Sequence, residues 1–380
     1  MSFNTKYPSI EDLRNRAKQR IPKFAFEYLD GGCNEDINLY KNTAEIREVE
    51  LLPEYLSKHT ASSMKTTLFG HEYDAPFGIA PVGLQGLMWP NAPEILAKAA
   101  FKHNIPFILS TVTTSSIERI SELTEGKAWF QLYHPTKNEL RYDILKRCEN
   151  SDYNTLVVLC DVPTFGFRPR DIRNGLAMPP NMSINNILQI LGKPNWALQT
   201  LKHGQPNFEG LKPYMPKNLD LKQLGKFMDD TFSGRLNEEK IKPIRDMWKG
   251  KLVLKGVASE YDAEEAIKLG LEQHPTSTNL KLFKVEIYVF ENKLKEANQL
   301  LDALYVLEPS NEEIYIQKAN ILSKDDKHQD AIKVLNIALD LAEESSELHS
   351  LIGMEYLFLD NFEEAKQSFM RCLEDDMDDY

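Results

Sequence analysis

The sequence has few cysteines and no long apolar run, and each scarcity excludes a class of protein. Its four cysteines are scattered without CxxC spacing: Cys33, Cys148, Cys160 and Cys372. This pattern argues against a disulfide framework or a cysteine-based metal site and favours thiols kept reduced in the cytoplasm. No apolar stretch approaches the roughly 20 residues of a membrane-spanning helix. We therefore expect a cytoplasmic protein without a transmembrane segment or a bound metal.

Basic residues are scarce in the last third of the chain. Residues 271–380 carry 10 Lys and Arg against 24 Asp and Glu, whereas residues 1–270 carry 35 against 33. So abrupt a change in charge predicts a domain boundary near residue 270. A net charge of −14 in the C-terminal part also argues against nucleic acid as its partner, because nucleic-acid binding requires a basic surface.

Short apolar runs alternate with amphipathic helical patterns before that boundary. Helices are predicted at 92–103, 116–124 and 140–148, between runs that suit strands buried on both faces. The predicted strands are Phe77–Pro81, Pro106–Ser110, Ala128–Tyr133, Thr155–Asp161 and Lys251–Gly256. This alternation indicates an α/β fold with a parallel sheet or barrel. The connection from Asn174 to Asn237 is too long for an ordinary loop and is expected to cover the C-terminal ends of the strands.

Polar residues cluster where the predicted strands end. They are Ser110, Gln131, Tyr133, Asp161, Arg168 and Lys255. In a parallel barrel such residues face one shared site. Each also has a structural alternative: Ser110 suits a turn, Gln131 could satisfy backbone groups, and Lys255 could pair with a surface carboxylate.

An ordered set of motifs gives this half of the chain a family resemblance. The motifs are Ile21-Pro-Lys-Phe-Ala-Phe-Glu-Tyr28, Asp30-Gly-Gly32, Ala80-Pro-Val-Gly83, Leu109-Ser-Thr111, Phe130-Gln-Leu-Tyr133, Asp161-Val-Pro163, Arg168-Pro-Arg-Asp-Ile-Arg-Asn174 and Leu254-Lys-Gly256. In this order, over residues 8–271, they resemble the FMN-dependent α-hydroxy-acid dehydrogenases and oxidases, which include flavin L-lactate dehydrogenase and glycolate oxidase. The resemblance implies a (β/α)₈ TIM-type barrel, here incomplete, with about five of its eight strands.

The resemblance also implies roles for individual residues. Tyr28, Tyr133 and Arg168 correspond to the ligands of the substrate carboxylate and hydroxyl, and Asp161 to the carboxylate that steadies the catalytic histidine. Tyr133 and Asp161 are thus the catalytic candidates. The cofactor is FMN, and the residues expected to contact it are Pro81, Val82, Gly83, Ser110, Gln131 and Lys255. The Lys255 cation would offset negative charge on the reduced flavin.

The catalytic histidine of the family has no counterpart in this sequence. Downstream of Lys255, at the distance where the family has an Asn-His-Gly-Gly-Arg-like segment, this chain has Thr278-Asn-Leu-Lys281. The nearest histidine, His274, lies in a loop-like segment with no strand before it. The second substrate arginine and the phosphate loop are also missing, and Leu159 stands where the family generally has Thr. We expect FMN affinity to be poor and the oxidation of an L-2-hydroxy acid of the lactate type to be lost.

The last third of the sequence is repetitive, with one regular period. Segments 278–311, 312–345 and 346–379 align, with Ala297, Ala331 and Ala365 at one shared position. The small residues allow paired helices to approach closely, and the pattern resembles tetratricopeptide (TPR) repeats. The same spacing reaches back to Ala263, in a segment that also resembles the fifth helix of the barrel. We therefore predict a barrel part at 1–270 and three repeats at 271–380, with residues 261–274 shared at the junction.

A TPR array presents a concave surface that binds peptides or helices. On this face the register places Leu282, Glu286, Phe290, Ile316, Asn320, Ser350, Met354 and Phe358. This mixture of apolar and acidic residues suits a basic or apolar partner, although Phe290 and Phe358 could instead pack against neighbouring helices. Three interpretations stay open: a flavin dehydrogenase that has lost its catalytic half, a protein-interaction module, and a gene fusion without a selected function.

Overall fold

The chain divides into two compact units after Gly256. The computed structural model describes residues 4–50, 63–162, 166–176, 182–216, 221–232, 236–342 and 346–378. Among these described residues, the first unit contains every strand, and the second unit is helical.

A parallel four-stranded sheet forms the centre of the first unit. Its strands are β3 (Ile108–Ser110), β4 (Trp129–Leu132), β5 (Thr155–Leu159) and β6 (Lys251–Lys255), after an antiparallel hairpin of β1 (Thr66–Leu68) and β2 (His71–Tyr73). The order β3-β4-β5-β6 follows the chain, so each strand lies beside its predecessor. This sequential order is typical of a barrel, whereas a doubly wound sheet reverses direction at a switch point.

The first predicted strand, Phe77–Pro81, is reduced to a single parallel bridge between Ile79 and Phe107. The Ile79 amide donates to the Pro106 carbonyl at 2.8 Å, and the Ile108 amide donates to the Ile79 carbonyl at 3.1 Å. Proline at 76 and 81 removes two amide donors beside the bridge. The segment therefore continues the sheet without a full ladder of hydrogen bonds.

The first unit contains twelve α-helices among its described residues. They are α1 (Ile10–Arg20), α2 (Lys23–Asp30), α3 (Ile37–Arg47), α4 (Gln85–Met88), α5 (Ala92–Lys102), α6 (Ile117–Thr124), α7 (Asn138–Asn150), α8 (Pro169–Arg173), α9 (Ile184–Leu191), α10 (Pro194–His203), α11 (Leu221–Thr231) and α12 (Glu238–Met247), with a 3₁₀ turn at Lys212–Tyr214. The Ser116 hydroxyl caps α6 by accepting from the Arg119 amide. Leu109, Phe130, Leu132, Leu156 and Val158 are almost fully buried and form the core.

The long connection from Asn174 to Asn237 contains α9, α10 and α11 in its described part. Its middle approaches the C-terminal ends of the strands: a Cβ on Gly210 would lie 2.8 Å from the Thr111 carbonyl oxygen. Further along, the Phe232 ring meets the Tyr133 ring edge to face at 5.9 Å. The connection therefore covers the strand ends, as its length predicts.

The second unit is a series of seven helices among its described residues. They are α13 (Glu260–Gln273), α14 (Thr278–Phe290), α15 (Leu294–Leu307), α16 (Glu312–Lys324), α17 (His328–Leu339), α18 (Ser346–Phe358) and α19 (Phe362–Asp378). The first helices of the three hairpins, α14, α16 and α18, begin at equal spacing along the chain. Ala297, Ala331 and Ala365 are at most 1% exposed, so each alanine lies at a close helix contact.

The helix that contains Ala263 belongs to the second unit. The Ser259 hydroxyl caps α13, and a Cβ on Gly270 would lie 3.0 Å from the Leu280 side chain. This close approach lets α13 pack on α14 within the same unit. The proposed sharing of residues 261–274 between barrel and repeats remains a prediction.

Candidate functional site

Ser110 and Gln131 lie side by side at the C-terminal end of the sheet. Their Cα atoms are partners in the register of β3 and β4, and both side chains are at most 3% exposed. Side chains alternate between the two faces of a strand, so Val157 and Leu159 of β5 and Lys255 of β6 share their face. The alternation thus places the Ser110 hydroxyl, the Gln131 carboxamide and the Lys255 ammonium on one side of the sheet.

Lys255 ends β6, Asp161 follows the neighbouring strand β5, and the two side chains approach each other. Lys255 Nζ lies 4.0 Å from Asp161 Oδ2, and both side chains are nearly half exposed. Gly256, with φ +91°, makes room for the carboxylate, because a Cβ on it would lie 2.4 Å from Asp161 Cγ. This glycine was not among the predicted site residues. Its positive φ and its place beside the lysine are the features that mark it.

Tyr28 and Tyr133 converge on the same end of the sheet. Burial is the main cause that raises the pKa of Tyr28 to about 12, and burial raises the pKa of Tyr133 with a contribution from the negative charge of Asp161. Both phenols are therefore protonated hydrogen-bond donors at neutral pH. A Cβ on Gly83 would lie 3.3 Å from the Tyr28 hydroxyl, so the backbone of the segment from Pro81 to Gly83 passes beside Tyr28.

Arg168 is already engaged by the protein on most of its guanidinium. Its Nη2 donates to the carbonyl oxygens of Tyr28 at 2.5 Å and Gly31 at 3.1 Å, and Nε lies 2.9 Å from Asp171 Oδ2. The guanidinium carbon also lies 5.1 Å from the centre of the Tyr28 ring. Nη1 has no partner among the described residues, and the buried Nε makes no hydrogen bond although it lies close to Asp171. A carboxylate can therefore meet Arg168 through one nitrogen, without the two-point fork that an unengaged arginine offers.

Two residues that the sequence analysis did not select also lie at the site. Asp171 is 7% exposed, and burial raises its pKa despite the nearby positive charge of Arg168. His134 directly follows Tyr133, and Arg141 Nη1 lies 3.3 Å from its Nε2. Burial, together with the positive charge of Arg141, lowers the pKa of His134 to about 4. A polar residue immediately after a strand-end candidate is the signal that could have identified His134.

The structure also describes two residues, Leu159 and His274, that the sequence analysis named where the chain departs from the family's active site. Leu159 is 7% exposed on the site face of β5 and offers no hydrogen bond. His274 caps the C-terminus of α13 in the second unit, outside the sheet unit. His134 has a low pKa and faces a buried arginine, which makes it a poor proton acceptor at neutral pH.

The donors and acceptors at the strand ends fit one edge of a flavin ring. The pyrimidine edge of a flavin presents carbonyl oxygens and an N–H, which a serine hydroxyl and a carboxamide can satisfy together. Lys255 provides a cation on the same face, and a cation beside a reduced flavin would offset its negative charge. Gly83 provides a stretch of backbone without a side chain beside Tyr28. Among the described residues, none of these groups lies in a cluster of three or more His, Cys, Asp or Glu suited to a metal ion.

Comparison with known proteins identifies the family. Residues 17–273 match the family model of the FMN-dependent dehydrogenases, and residues 346–374 match a tetratricopeptide repeat model. The chain is 33% identical over 262 residues to L-lactate dehydrogenase of Vibrio parahaemolyticus serotype O3:K6 (strain RIMD 2210633), covering 69% of both proteins. It is 31% identical over 266 residues to (S)-mandelate dehydrogenase of Pseudomonas putida, covering 70% of this chain and 66% of the relative.

Solved structures agree with the sequence comparison. The crystal structure of the monotopic membrane protein (S)-mandelate dehydrogenase matches with a TM-score of 0.64 at 31% identity, over 68% of this chain and 69% of that one. The chain belongs to the FMN-dependent dehydrogenase family, and the cofactor of that family is FMN. Its fold is TIM-barrel-like, with a helical C-terminal part that contains a tetratricopeptide repeat. The resemblance predicted from the motifs and from the repeat period is therefore confirmed.

Exposed aromatic side chains mark the first helices of the repeats. Phe290 is 68% exposed and Phe358 is 60% exposed, although one face of Phe358 stacks on the His328 ring with centroids 4.9 Å apart. Met354 is 47% exposed, whereas Leu282 is buried. The alternative is that both phenylalanines pack against neighbouring helices. Phe290 is instead largely exposed, and only one face of Phe358 is packed. Within the part of the chain that the structure describes, no helix could cross a membrane.

Proposed function

We propose that the first unit binds FMN and an L-2-hydroxy acid of the lactate type but does not oxidise the acid. The observation that carries the proposal is the shared face of Ser110, Gln131 and Lys255 at the strand ends. The sequence after Lys255 argues against catalysis, because it has no histidine at the position where the family has its catalytic base. The missing second arginine and phosphate loop would weaken both acid and cofactor binding.

We further infer that the sheet corresponds to about five of the eight strands of a TIM-type barrel, spanning residues 1–270. The sequential order of the four strands and the bridge at Ile79 support five neighbouring segments. Residues 271–380 would then form three repeats, with 261–274 shared at the junction. This division rests on the charge change and on the regular spacing of the repeats.

The proposed roles of the site residues come from the family resemblance, and their contacts support them. FMN, when bound, supplies the hydride acceptor for oxidation at the acid's Cα. Arg168 would meet the acid carboxylate through Nη1, and the phenols of Tyr28 and Tyr133 would donate to the acid. Asp161 would steady a protonated base, and among the described residues its ion-pair partner is Lys255 and not a histidine. The backbone from Pro81 to Gly83 would lie against the cofactor ring.

Titration of the full-length chain with FMN tests this proposal. We expect saturable quenching of flavin fluorescence, and no bleaching of the flavin absorbance when L-lactate or (S)-mandelate is added without oxygen. Lys255→Met should weaken FMN binding about tenfold by removing the cation at the site. Lys249→Met, which removes an exposed lysine outside the site, serves as the control. Bleaching by either acid would refute the loss of catalysis, and a failure to bind FMN would refute the flavin site.

A second candidate function is protein interaction through the repeats. The exposed Phe290 and Met354 favour it, because large apolar side chains held at the surface often mark binding sites. We place this interaction on the concave face of the array and the whole protein in the cytoplasm. Selection of peptides on the immobilised full-length chain tests the function. We expect saturable binding that Phe290→Ala/Met354→Ala abolishes, and binding unchanged by that variant would refute it.

A third interpretation, a fusion without a selected function, predicts an insoluble chain. Sequencing across codons 255–285 of the source gene separates a natural fusion from an assembly error. A continuous reading frame there, together with a soluble chain, would favour the first two functions.

A further inference from the structure

Two carboxylates face each other across the first helices of repeats one and two. Gln317 Nε2 donates to Glu313 Oε1 at 2.9 Å and lies 3.5 Å from Glu286 Oε1 on the neighbouring helix. Burial raises the pKa of Glu286, and the negative charge of Glu313 raises it further. The two acids are thus close enough to repel each other, and a single amide lies between them.

The basic side chains of these two helices are engaged elsewhere. Lys284 lies over the Tyr288 ring at 5.4 Å, Lys318 pairs with Asp302 at 3.2 Å, and Lys324 donates to the Val289 carbonyl at 2.8 Å. The positive charge of Lys281 acts on Glu308. Among the described residues, Glu286 and Glu313 form no ion pair. Within the part of the chain that the structure describes, no basic side chain neutralises this pair, which leaves it open to a positive charge from another molecule.

Exposed phenylalanines flank Glu286 on the same face of α14. Phe283 and Phe290 stand three residues before and four residues after Glu286, which places all three along one stripe of α14. Phe283 is 53% exposed and Phe290 is 68% exposed. An aromatic face attracts a cation, so the stripe adds apolar contact and cation–π attraction beside the carboxylates.

We propose that the face formed by Phe283, Glu286, Phe290 and Glu313 binds an arginine of a partner protein, carried in an apolar segment. Arginine fits because its planar guanidinium can bridge two carboxylates and stack on an aromatic ring at once, whereas a lysine ammonium is a compact point charge. Charge complementarity supports a basic partner, since residues 271–380 carry a net charge of −14. This inference rests on the proposed interaction function and names its site and its partner's chemistry.

The test uses the full-length chain and pools of short synthetic peptides of one fixed length. Every pool has leucine on both sides of one fixed central residue, which is arginine, lysine, citrulline or glutamate, and random residues elsewhere. We expect the arginine pool to bind at least about tenfold more tightly than the citrulline pool, which has nearly the same shape without the charge. The lysine pool should bind with an affinity between those of the arginine and citrulline pools, and the glutamate pool should not bind.

Matched variants locate the binding on this face. Glu286→Gln/Glu313→Gln should weaken binding of the selected arginine peptide about tenfold or more. The control Glu312→Gln/Glu363→Gln removes the same charge from exposed positions off the face and should leave binding unchanged. Equal loss in both variants would show general electrostatic attraction and overturn the proposal. Helical circular dichroism and melting temperature verify that each variant is folded.

The remaining outcomes separate this inference from the interaction function itself. If another pool binds best through Phe290 and Met354, the repeats are an interaction module but the arginine site is wrong. If no pool binds, both proposals fail. Concentration-dependent dimers in sedimentation, abolished by Glu286→Gln/Glu313→Gln, would show that a second copy of this chain occupies the face and would also overturn the proposal.

Discussion

Arg168 donates a hydrogen bond of 2.5 Å to the backbone carbonyl of Tyr28, and its guanidinium also lies over the Tyr28 ring. The residue expected to bind substrate is therefore also a structural link between α2 and α8. Both carbonyl contacts use Nη2, which leaves Nη1 as the nitrogen without a protein contact among the described residues. The double role also ties the position of one substrate-site phenol to that of the arginine.

Asp171→Ala should destabilise the first unit by about 3 kcal/mol. The mutation leaves Arg168 Nε partly buried without its carboxylate 2.9 Å away, and breaking a buried pair from one side leaves an uncompensated charge. Urea unfolding followed by tryptophan fluorescence measures the loss. Glu122→Gln removes an exposed pair with Arg119 and should cost less than about 0.5 kcal/mol. Equal small losses of stability in Asp171→Ala and Glu122→Gln would show that the ion pair between Arg168 and Asp171 contributes little to stability.

Gly256→Ala should destabilise the first unit by more than Gly204→Ala. Both glycines have φ near +90°, a backbone conformation that alanine rarely adopts, so both variants are strained. A Cβ at 256 also meets Asp161, whereas a Cβ at 204 meets nothing within 4 Å. We expect an additional loss of about 1–2 kcal/mol at 256 in urea unfolding. Identical losses would mean that Asp161 moves aside freely.

His134 should make the stability of the first unit fall as the pH falls. Its folded pKa of about 4 lies below the ordinary value of 6.5, so the unfolded chain binds the proton more readily. The stability that neutral His134 contributes to the folded state is fully present above pH 6.5 and is lost as the pH falls towards 4. Because the side chain is partly exposed, we expect about 1–2 kcal/mol.

Chemical denaturation at a series of pH values measures this contribution. His134→Gln keeps an acceptor for Arg141 but does not titrate. In this variant the free energy of unfolding should change less between pH 4 and 6.5 than in the wild type. His103→Gln, at an exposed position, should leave the dependence of stability on pH unchanged. If His134→Gln keeps the wild-type dependence of stability on pH, other groups cause that dependence.

Gly353→Ala should destabilise the third repeat by about 1–3 kcal/mol, because the added Cβ would lie 2.6 Å from the Phe369 ring. Adding Phe369→Leu should recover most of the loss, since the pair then matches Ala319 and Leu335 of the second repeat. Thermal melting followed by circular dichroism at 222 nm measures both variants. A double variant no more stable than Gly353→Ala would contradict close packing of these two positions.

Much of the fold could be predicted from local patterns. The runs around β3 to β6 are short and apolar, and the strands lie within them because side chains buried on both faces leave a continuous apolar signal. Around Ile79 the same pattern failed to give a full strand, because flanking prolines remove amide donors whatever the hydropathy. The hairpin of β1 and β2 is too short and too polar to give such a signal.

The sequence by itself determined the family, the repeat period and the residue types at the strand ends, because motif order and periodicity are properties of the chain. Tertiary structure alone decided which groups those residues meet. It engaged Arg168 with two carbonyls, brought Asp171 and His134 to the site, and set Glu286 near Glu313 with no ion pair from the described residues. The contacts of Arg168 with Tyr28 and Gly31, and of Gln317 with Glu286, join residues far apart in sequence, and only packing fixes their distance, burial and remaining hydrogen-bonding capacity.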